Sequence, residues 1–130
     1  MSDRKPVILV ADDQDNMRTL LTRVLSLEDY GFEMAASGKR AIELLETTTI
    51  DLALLDINMP GIDGIGVVEF MKSNPRLANI PIVMITGQVD TSSVLRCKAL
   101  GVNDYLIKPY KISALLGRIE AALHGETDNG

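Results

Sequence analysis

Short, uninterrupted apolar segments that lead directly to polar side chains restrict the fold of this chain more than any other feature. Three of them are VILVA at Val7–Ala11, LALL at residues 52–55 and IPIVMIT at residues 80–86. Continuous apolar runs of this length are typical of strands that are covered on both faces of a parallel sheet. The sequence therefore predicts a buried sheet. It also raises the question of why a charged residue, Asp56, directly follows the second run, since desolvating a charge is unfavourable.

The segments between these runs have the spacing of amphipathic helices. After the first run, apolar residues recur at intervals of three and four positions, which places them on one face of a helix. Ser37 is a suitable N-cap for a second helix. The remaining predicted elements are helices at about 63–72, about 91–100 and near 112 to 124, and weaker strands at 32–36 and Tyr105–Ile107.

Five strands that alternate with five helices indicate an α/β domain with a parallel sheet and helices on both faces. The first, third and fourth strands are the most apolar and suit the centre of the sheet, whereas the second and fifth suit its edges. Right-handed crossovers then favour the strand order 2-1-3-4-5, the flavodoxin-like, doubly wound (βα)5 arrangement. In that order a binding site is expected outside the carboxyl ends of the first and third strands, where the chain changes direction.

Composition narrows the classes of function. The chain has 130 residues, which predicts one domain at residues 1–124 with a short polar tail at 125–130. The net charge is −5 and no block of lysine or arginine is present, so direct contact with nucleic acid is not expected. Cys97 is the only cysteine, which excludes an internal disulfide and favours a reducing, cytoplasmic location. The sequence has no signal-peptide core and no membrane-spanning run, so no membrane association is expected.

Polar residues of related chemistry stand at the predicted carboxyl ends of the strands. Asp12 and Asp13 follow the first strand, Asp56 follows the third, Thr86 ends the fourth and Lys108 follows the fifth. Two carboxylates about 4 Å apart repel by about 4 kcal/mol at an effective dielectric constant of about 20. One lysine does not compensate three such charges, whereas a divalent cation does, and an all-oxygen ligand set favours Mg²⁺ over zinc. The sequence therefore predicts a magnesium-dependent site for phosphoryl chemistry.

Among the three carboxylates, Asp56 is the best candidate for a nucleophile. A carboxylate can attack phosphorus and form an aspartyl phosphate, a reaction that depends mainly on positioning and charge neutralisation. Asp12 and Asp13 are adjacent on a loop that leads into a helix, which suits metal binding, whereas Asp56 stands alone at the end of a central strand. Thr86 and Lys108 would supply a hydroxyl and an ammonium to the phosphoryl group.

These motifs resemble those of the receiver domains of two-component response regulators, the CheY-like family. The resemblance covers about residues 5–124. It is carried by the acidic pair, by DINMPGIDG around Asp56, by Thr86 with Gly87, and by YLIKPY around Lys108. It implies that Asp56 accepts a phosphoryl group from a histidine kinase or a histidine phosphotransfer protein and slowly loses it to water. The chain would then be a phosphorelay switch rather than an enzyme that turns over a separate substrate.

The resemblance further implies a metal site and one unusual peptide bond. It implies that Mg²⁺ binds Asp12, Asp13, Asp56 and the backbone carbonyl of Asn58. The peptide bond between Lys108 and Pro109 is expected to be cis, a geometry that proline permits far more readily than other residues.

Conformational switching is the third implication of the resemblance. Thr86 and Tyr105 are expected to respond to the phosphoryl group and to alter the surface formed by the fourth helix, the fifth strand and the fifth helix. That surface would contact an output domain or a downstream protein, and a homodimer on phosphorylation is a further expectation. Asn58 and Gln88 are expected to tune the rate of hydrolysis.

Simpler structural roles stay open at this point, as do two other functions. Asp12 and Asp13 would also suit a helix cap, Asp56 the start of a loop, and Tyr105 a half-buried sheet edge. A phosphatase of the haloacid dehalogenase type needs a general acid two residues after its nucleophile, where this chain has Asn58. A nucleotide or flavin binder needs a glycine-rich or hydroxyl-rich loop after the first strand, where this chain has ADDQDN.

Overall fold

A computed structural model describes residues 4–87, 90–102 and 104–125 of the chain. Within these ranges, five strands alternate with five helices, as the sequence predicts. The elements are β1 (Val7–Ala11), α1 (Asp15–Leu27), β2 (Gly31–Ala35), α2 (Gly38–Thr47), β3 (Leu52–Asp56), α3 (Gly64–Lys72), β4 (Ile82–Thr86), α4 (Thr91–Ala99), β5 (Tyr105–Ile107) and α5 (Ile112–Leu123).

The strands form one parallel sheet in the order β2-β1-β3-β4-β5, which confirms the predicted flavodoxin-like arrangement. The two less apolar strands, β2 and β5, lie at its edges. In the register of the sheet, Ala11 of β1 pairs with Leu55 of β3, and Asp56 pairs with Ile85 of β4. The carboxyl ends of the strands are therefore level with one another along one end of the sheet.

Helices cover both faces of the sheet, and strand β3 shows how this fixes its position. All five residues of β3 are buried. Ala53 and Leu55 belong to the core cluster that includes α2 and α3, whereas Leu52 and Leu54 belong to the cluster that includes α1 and α5. Full burial of one leucine side chain contributes about 1.5 to 3 kcal/mol. Because β3 is packed in this way on both faces, the residue at its end has a well-defined position.

The observed elements differ from the prediction at some of their ends. β4 begins at Ile82 rather than residue 80, because the Ile80 N–H donates to the Leu77 carbonyl in a turn and Pro81 has no N–H. β3 extends through Asp56 instead of stopping before it, and β2 lies one residue earlier than predicted. Asp56 is therefore part of the sheet itself and not of the loop that follows.

The starts of the first two helices decide between two roles for the acidic pair. Ser37 caps α2 as predicted, because its hydroxyl oxygen accepts a hydrogen bond from the Arg40 N–H. The N-cap of α1 is Gln14, whose side chain makes no capping hydrogen bond. Neither Asp12 nor Asp13 is the N-cap of this helix, so capping does not account for the pair.

The remaining sequence-based expectations concern membrane spans, the end of the domain and residues that the structure does not describe. In the ranges that the structure covers, no helix is both long enough and apolar enough to cross a bilayer. The last helix, α5, ends at Leu123, and the division of the chain after residue 124 stays a prediction. Gln88 and most of the expected tail, residues 126–130, lie outside the described residues.

Candidate functional site

The side chains predicted for the site converge at the carboxyl end of the sheet. Asp12 follows β1, Asp56 and Thr86 are the last residues of β3 and β4, and Lys108 follows β5. Asp12, Asp56 and Thr86 are only 2%, 4% and 3% exposed, whereas Asp13 is exposed. Burial of a charged or polar group is unfavourable unless it is paired, so this cluster needs partners.

Lys108 supplies the main pairing charge. Its Nζ donates to Asp56 Oδ2 at 2.9 Å and to Asp12 Oδ2 at 3.2 Å, and a third contact reaches Gln14 Oε1 at 3.4 Å. Its backbone N–H donates to the Thr86 carbonyl at 2.8 Å, which ties the start of the loop to β4. An ammonium has three N–H groups, and here each has one acceptor.

Two identical backbone turns orient the buried carboxylates. Asp12 Oδ1 accepts a hydrogen bond from the Gln14 N–H, and Asp56 Oδ1 accepts one from the Asn58 N–H, each at 2.9 Å. In both residues Oδ1 is thus held by the backbone two residues later, while Oδ2 faces Lys108. The turns explain why both carboxylates point toward the same space above the sheet.

Burial and pairing act in opposite directions on the ionisation of this pair. Burial raises the pKa of Asp56, and the hydrogen bonds from Lys108 and from the Asn58 N–H offset this only in part. For Lys108, burial alone would lower the pKa, but hydrogen bonding and charge from Asp56 and Asp12 together raise it. The charge of Asp56 is therefore only partly compensated, and a nearby cation would stabilise its ionised form.

The three carboxylates are arranged so that they could hold a metal ion. One oxygen from each of Asp12, Asp13 and Asp56 lies within 4.8 Å of the others. Asp13 and Asp56 border an open cleft of about 480 Å³, whose lining also includes Gln14, Asn58, Gly87 and Lys108. A donor set made only of oxygens, with one exposed carboxylate that solvent ions can reach, fits a hard divalent cation.

Asn58 and Tyr105 have positions that the sequence did not specify. Asn58 borders the cleft, and its N–H donates to Asp56; the expected role of its carbonyl toward a metal stays a prediction. Tyr105 is half-buried, and its hydroxyl donates to the Val94 carbonyl of α4 at 3.2 Å. Burial raises the pKa of Tyr105 to about 12. Tyr105 thus connects the edge strand to α4, and it is not among the residues that line the cleft.

The peptide bond between Lys108 and Pro109 is cis, the geometry that the family resemblance implies. The side chain of Lys108 is 19% exposed, so its end lies within the cleft and not in bulk solvent. Thr86 is buried at the end of β4, next in the sheet to the strand that carries Asp56. The structure thus brings together the acidic pair, Asp56 and Lys108, with Thr86 on the adjacent strand end.

Two residues of this site were not identified from the sequence. Gln14 accepts from Lys108, and Arg18 donates through Nη1 to the Asp12 carbonyl at 2.7 Å. Both lie in or just before α1, four positions apart, so helical spacing from the acidic pair could have indicated them.

The family model described as "Response regulator receiver domain" matches residues 8–120 of the chain. The "Probable transcriptional regulator ycf27" of Cyanidium caldarium is 35% identical over 92% of this chain and 47% of its own length. The "DNA-binding response regulator MtrA" of Mycobacterium tuberculosis is 33% identical over 98% of this chain and 55% of its own length. The chain therefore spans about half the length of these relatives.

Solved structures agree with the sequence comparisons. Vibrio cholerae chemotaxis protein CheY4 superposes with a TM-score of 0.86 at 26% identity, over 92% of this chain and 99% of that one. The signal receiver domain of a signal transduction histidine kinase from Syntrophus aciditrophicus has a TM-score of 0.85 at 28% identity, over 96% and 95% of the two chains. With this fold, these strand-end carboxylates and these relatives, the chain belongs to the response regulator receiver domain family.

Proposed function

We propose that this chain is a phosphorylation-dependent switch in which Asp56 accepts a phosphoryl group from a phosphohistidine of a histidine kinase or a histidine phosphotransfer protein. The observation that carries the proposal is the environment of Asp56. Its carboxylate is buried at the end of a central strand, beside two further carboxylates. Its Oδ1 accepts a hydrogen bond from the Asn58 N–H, and its Oδ2 accepts one from Lys108. A carboxylate held in this way has one orientation, which favours in-line attack on phosphorus.

Mg²⁺ would be held by Asp12, Asp13 and Asp56, with the Asn58 carbonyl as the ligand expected from the family. When bound, it would neutralise the carboxylates and the incoming phosphoryl oxygens. The residues of the chain supply the remaining functions. An Asp56 oxygen forms the bond to phosphorus, the bond between phosphorus and the donor imidazole nitrogen breaks, and Lys108 pairs with a phosphoryl oxygen.

The same contacts support a route from the site to the surface. Once a phosphoryl group is present, Lys108 exchanges part of its hydrogen bonding to Asp12 and Gln14 for the new oxygens. Thr86 would donate its hydroxyl to the phosphoryl group, and the ring of Tyr105 would respond. Because the Tyr105 hydroxyl is bound to the Val94 carbonyl, such a response would alter β5 and α4 together, and with them the surface that they are expected to form with α5. We assign the contacts with an output domain or downstream protein, and a homodimer on phosphorylation, to this surface.

Three further points belong to the proposal. The chain would catalyse only its own phosphorylation and slow dephosphorylation, tuned by Asn58 and Gln88, and would turn over no separate substrate. We assign no nucleic-acid contact to these residues, since the net charge is −5. The DNA binding named for MtrA refers to a protein of which this chain covers about half. A cytoplasmic location fits the reducing setting that the lone Cys97 favours.

Incubation with acetyl phosphate tests the proposal. With Mg²⁺ present, intact-protein mass spectrometry should show a single phosphoryl adduct. When a chelator removes Mg²⁺ before acetyl phosphate is added, the adduct should not form. Asp56→Asn should show none, because an amide is not a nucleophile toward phosphorus at neutral pH. Asp104→Asn is the matched control, since it removes a carboxylate that pairs with Arg118 instead of Lys108, and it should be labelled like the wild type. An adduct of equal yield in Asp56→Asn would refute the assignment.

A further inference from the structure

We propose that Arg18 of α1 is a positioning residue that holds the acidic loop in the shape required for cation binding. The inference deepens the proposed function, because it concerns the same carboxylates. The guanidinium of Arg18 binds two acceptors, one in the loop after β1 and one in the first turn of α1. Nη1 donates to the backbone carbonyl of Asp12 at 2.7 Å, and Nη2 pairs with the carboxylate of Asp15. The side chain of Arg18 is only 19% exposed, so these bonds are partly shielded from water.

The hydrogen bonds of Asp12, in the loop between β1 and α1, show which part of the loop Arg18 holds in place. Every polar group of Asp12 has a partner elsewhere in the chain. Its N–H donates to the Ala35 carbonyl, its carboxylate binds the Gln14 N–H and Lys108, and its carbonyl binds Arg18. Arg18 is the partner of the carbonyl that leads directly into Asp13. It therefore fixes the peptide plane from which the second acid of the pair extends.

Asp13 depends on this support more than the other two acids do. It is exposed, and among the residues that the structure describes no side chain or backbone N–H pairs with its carboxylate. Its position is therefore set by the backbone on which it stands. If the Asp12–Asp13 peptide is free to rotate, the Asp13 oxygen no longer lies within reach of the other two carboxylates, and the three-oxygen arrangement is lost.

Charge alone predicts the opposite effect, which makes the inference testable. A guanidinium beside three carboxylates repels a divalent cation, so its removal would tighten cation binding if Coulomb interaction were its main contribution. If Arg18 instead holds the acidic loop in place, removal of its guanidinium should weaken cation binding, because the carboxylates must then become ordered when the ion binds. The sign of the change separates the two roles.

Binding of Mn²⁺, followed by electron paramagnetic resonance with Mg²⁺ as competitor, measures this sign without any phosphotransfer. Arg18→Met should weaken Mn²⁺ binding by about tenfold, the effect expected for loss of one charge-assisted hydrogen bond. Arg18→Lys keeps the charge but cannot span both acceptors, so its affinity should lie between those of wild type and Arg18→Met. Arg23→Met, an exposed change on the same helix, is the control and should bind Mn²⁺ like the wild type.

Circular dichroism without metal shows whether each variant is folded at the temperature of the titration. If Arg18→Met is not folded, Arg18→Lys carries the test, and an affinity equal to that of the wild type would overturn the inference. Unchanged or tighter binding by a folded Arg18→Met would overturn it as well. Failure of the wild-type chain to bind Mn²⁺ would instead contradict the proposed metal site, and the role of Arg18 with it.

Discussion

At the scale of single residues, the ammonium of Lys108 is the most informative group in the site. Its three contacts, to Asp56, Asp12 and Gln14, use all the N–H groups that it has. A phosphoryl oxygen can therefore bind Lys108 only by replacing one of them. The contact with Gln14 is the longest at 3.4 Å and the most exposed, so it is the first that we expect to be given up.

Substitution of Lys108 by alanine tests its role in phosphorylation and in switching. Lys108→Ala should still accept a phosphoryl group from acetyl phosphate, but roughly tenfold or more slowly, because one charge-assisted donor at the reacting group is lost. The phosphorylated variant should also show smaller amide shifts in α4 and β5 by nuclear magnetic resonance. Lys111→Ala, at the exposed N-cap of α5, is the control. Full retention of both rate and shifts by Lys108→Ala would contradict the coupling role.

At the scale of the elements, the start of α3 packs so closely against the end of β3 that only a glycine fits at residue 64. A Cβ atom added to Gly64 would lie 2.3 Å from the backbone oxygen of Asp56, and the Gly64 N–H donates to the Ile57 carbonyl. Asp63 caps the same helix through the Gly66 N–H. The helix therefore begins directly behind the proposed phosphoacceptor and limits how far its backbone can move.

Two glycine-to-alanine changes separate this packing from helix propensity. Gly64→Ala should lower the free energy of unfolding by about 1 to 3 kcal/mol, since backbone atoms have to move to admit the methyl group. Gly117→Ala, in α5, meets nothing within 4 Å and should raise it by up to about 1 kcal/mol. Urea denaturation measures both. A Gly64→Ala chain as stable as the wild type would show that the contact is not restrictive.

The elements also show what the sequence could and could not predict. Strand order followed from differences in apolar character, and Ser37 was identifiable as a cap because its chemistry is local. The exact end of β3 was not, because a lone carboxylate looks like a loop residue until the pairing of Asp56 with Ile85 is known. The contact of Gly64 with the backbone of Asp56 could not be predicted, since close packing between two elements leaves no local trace in the sequence. The hydrogen bond from Arg18 to the Asp12 carbonyl likewise depends on the path of the loop between β1 and α1.

At the scale of the whole molecule, the site is linked to stability because its charged side chains come from three separate segments. Asp12 and Asp13 follow β1, Asp56 ends β3, and Lys108 follows β5, so they converge only in the folded chain. A cation that binds this arrangement binds the folded state and not the unfolded one. Its binding must therefore increase the free energy of unfolding.

Thermal unfolding with and without Mg²⁺ tests this linkage. At a concentration of about 100 times its Kd, Mg²⁺ should add about 2.7 kcal/mol and raise Tm by roughly 10 °C. Asp13→Asn removes an exposed carboxylate of the proposed metal site with little effect on packing, so it should fold normally and show a much smaller rise. NaCl at matched ionic strength controls for screening. An equal rise in Asp13→Asn, or in NaCl, would contradict specific binding.

The reach of Lys108 across the sheet has a mechanical consequence. Its backbone stands at the outermost strand, while its charged end contacts Asp56 two strands away and Asp12 three strands away. These two ion pairs connect the segment after the edge strand β5 to the segments at the ends of the inner strands β3 and β1. β5 itself has only three residues and pairs with β4 at three positions, so these ion pairs add to a short set of backbone contacts. We therefore expect a change of charge at Asp56 to reach the segment after β5 directly through Lys108, without a movement of β4.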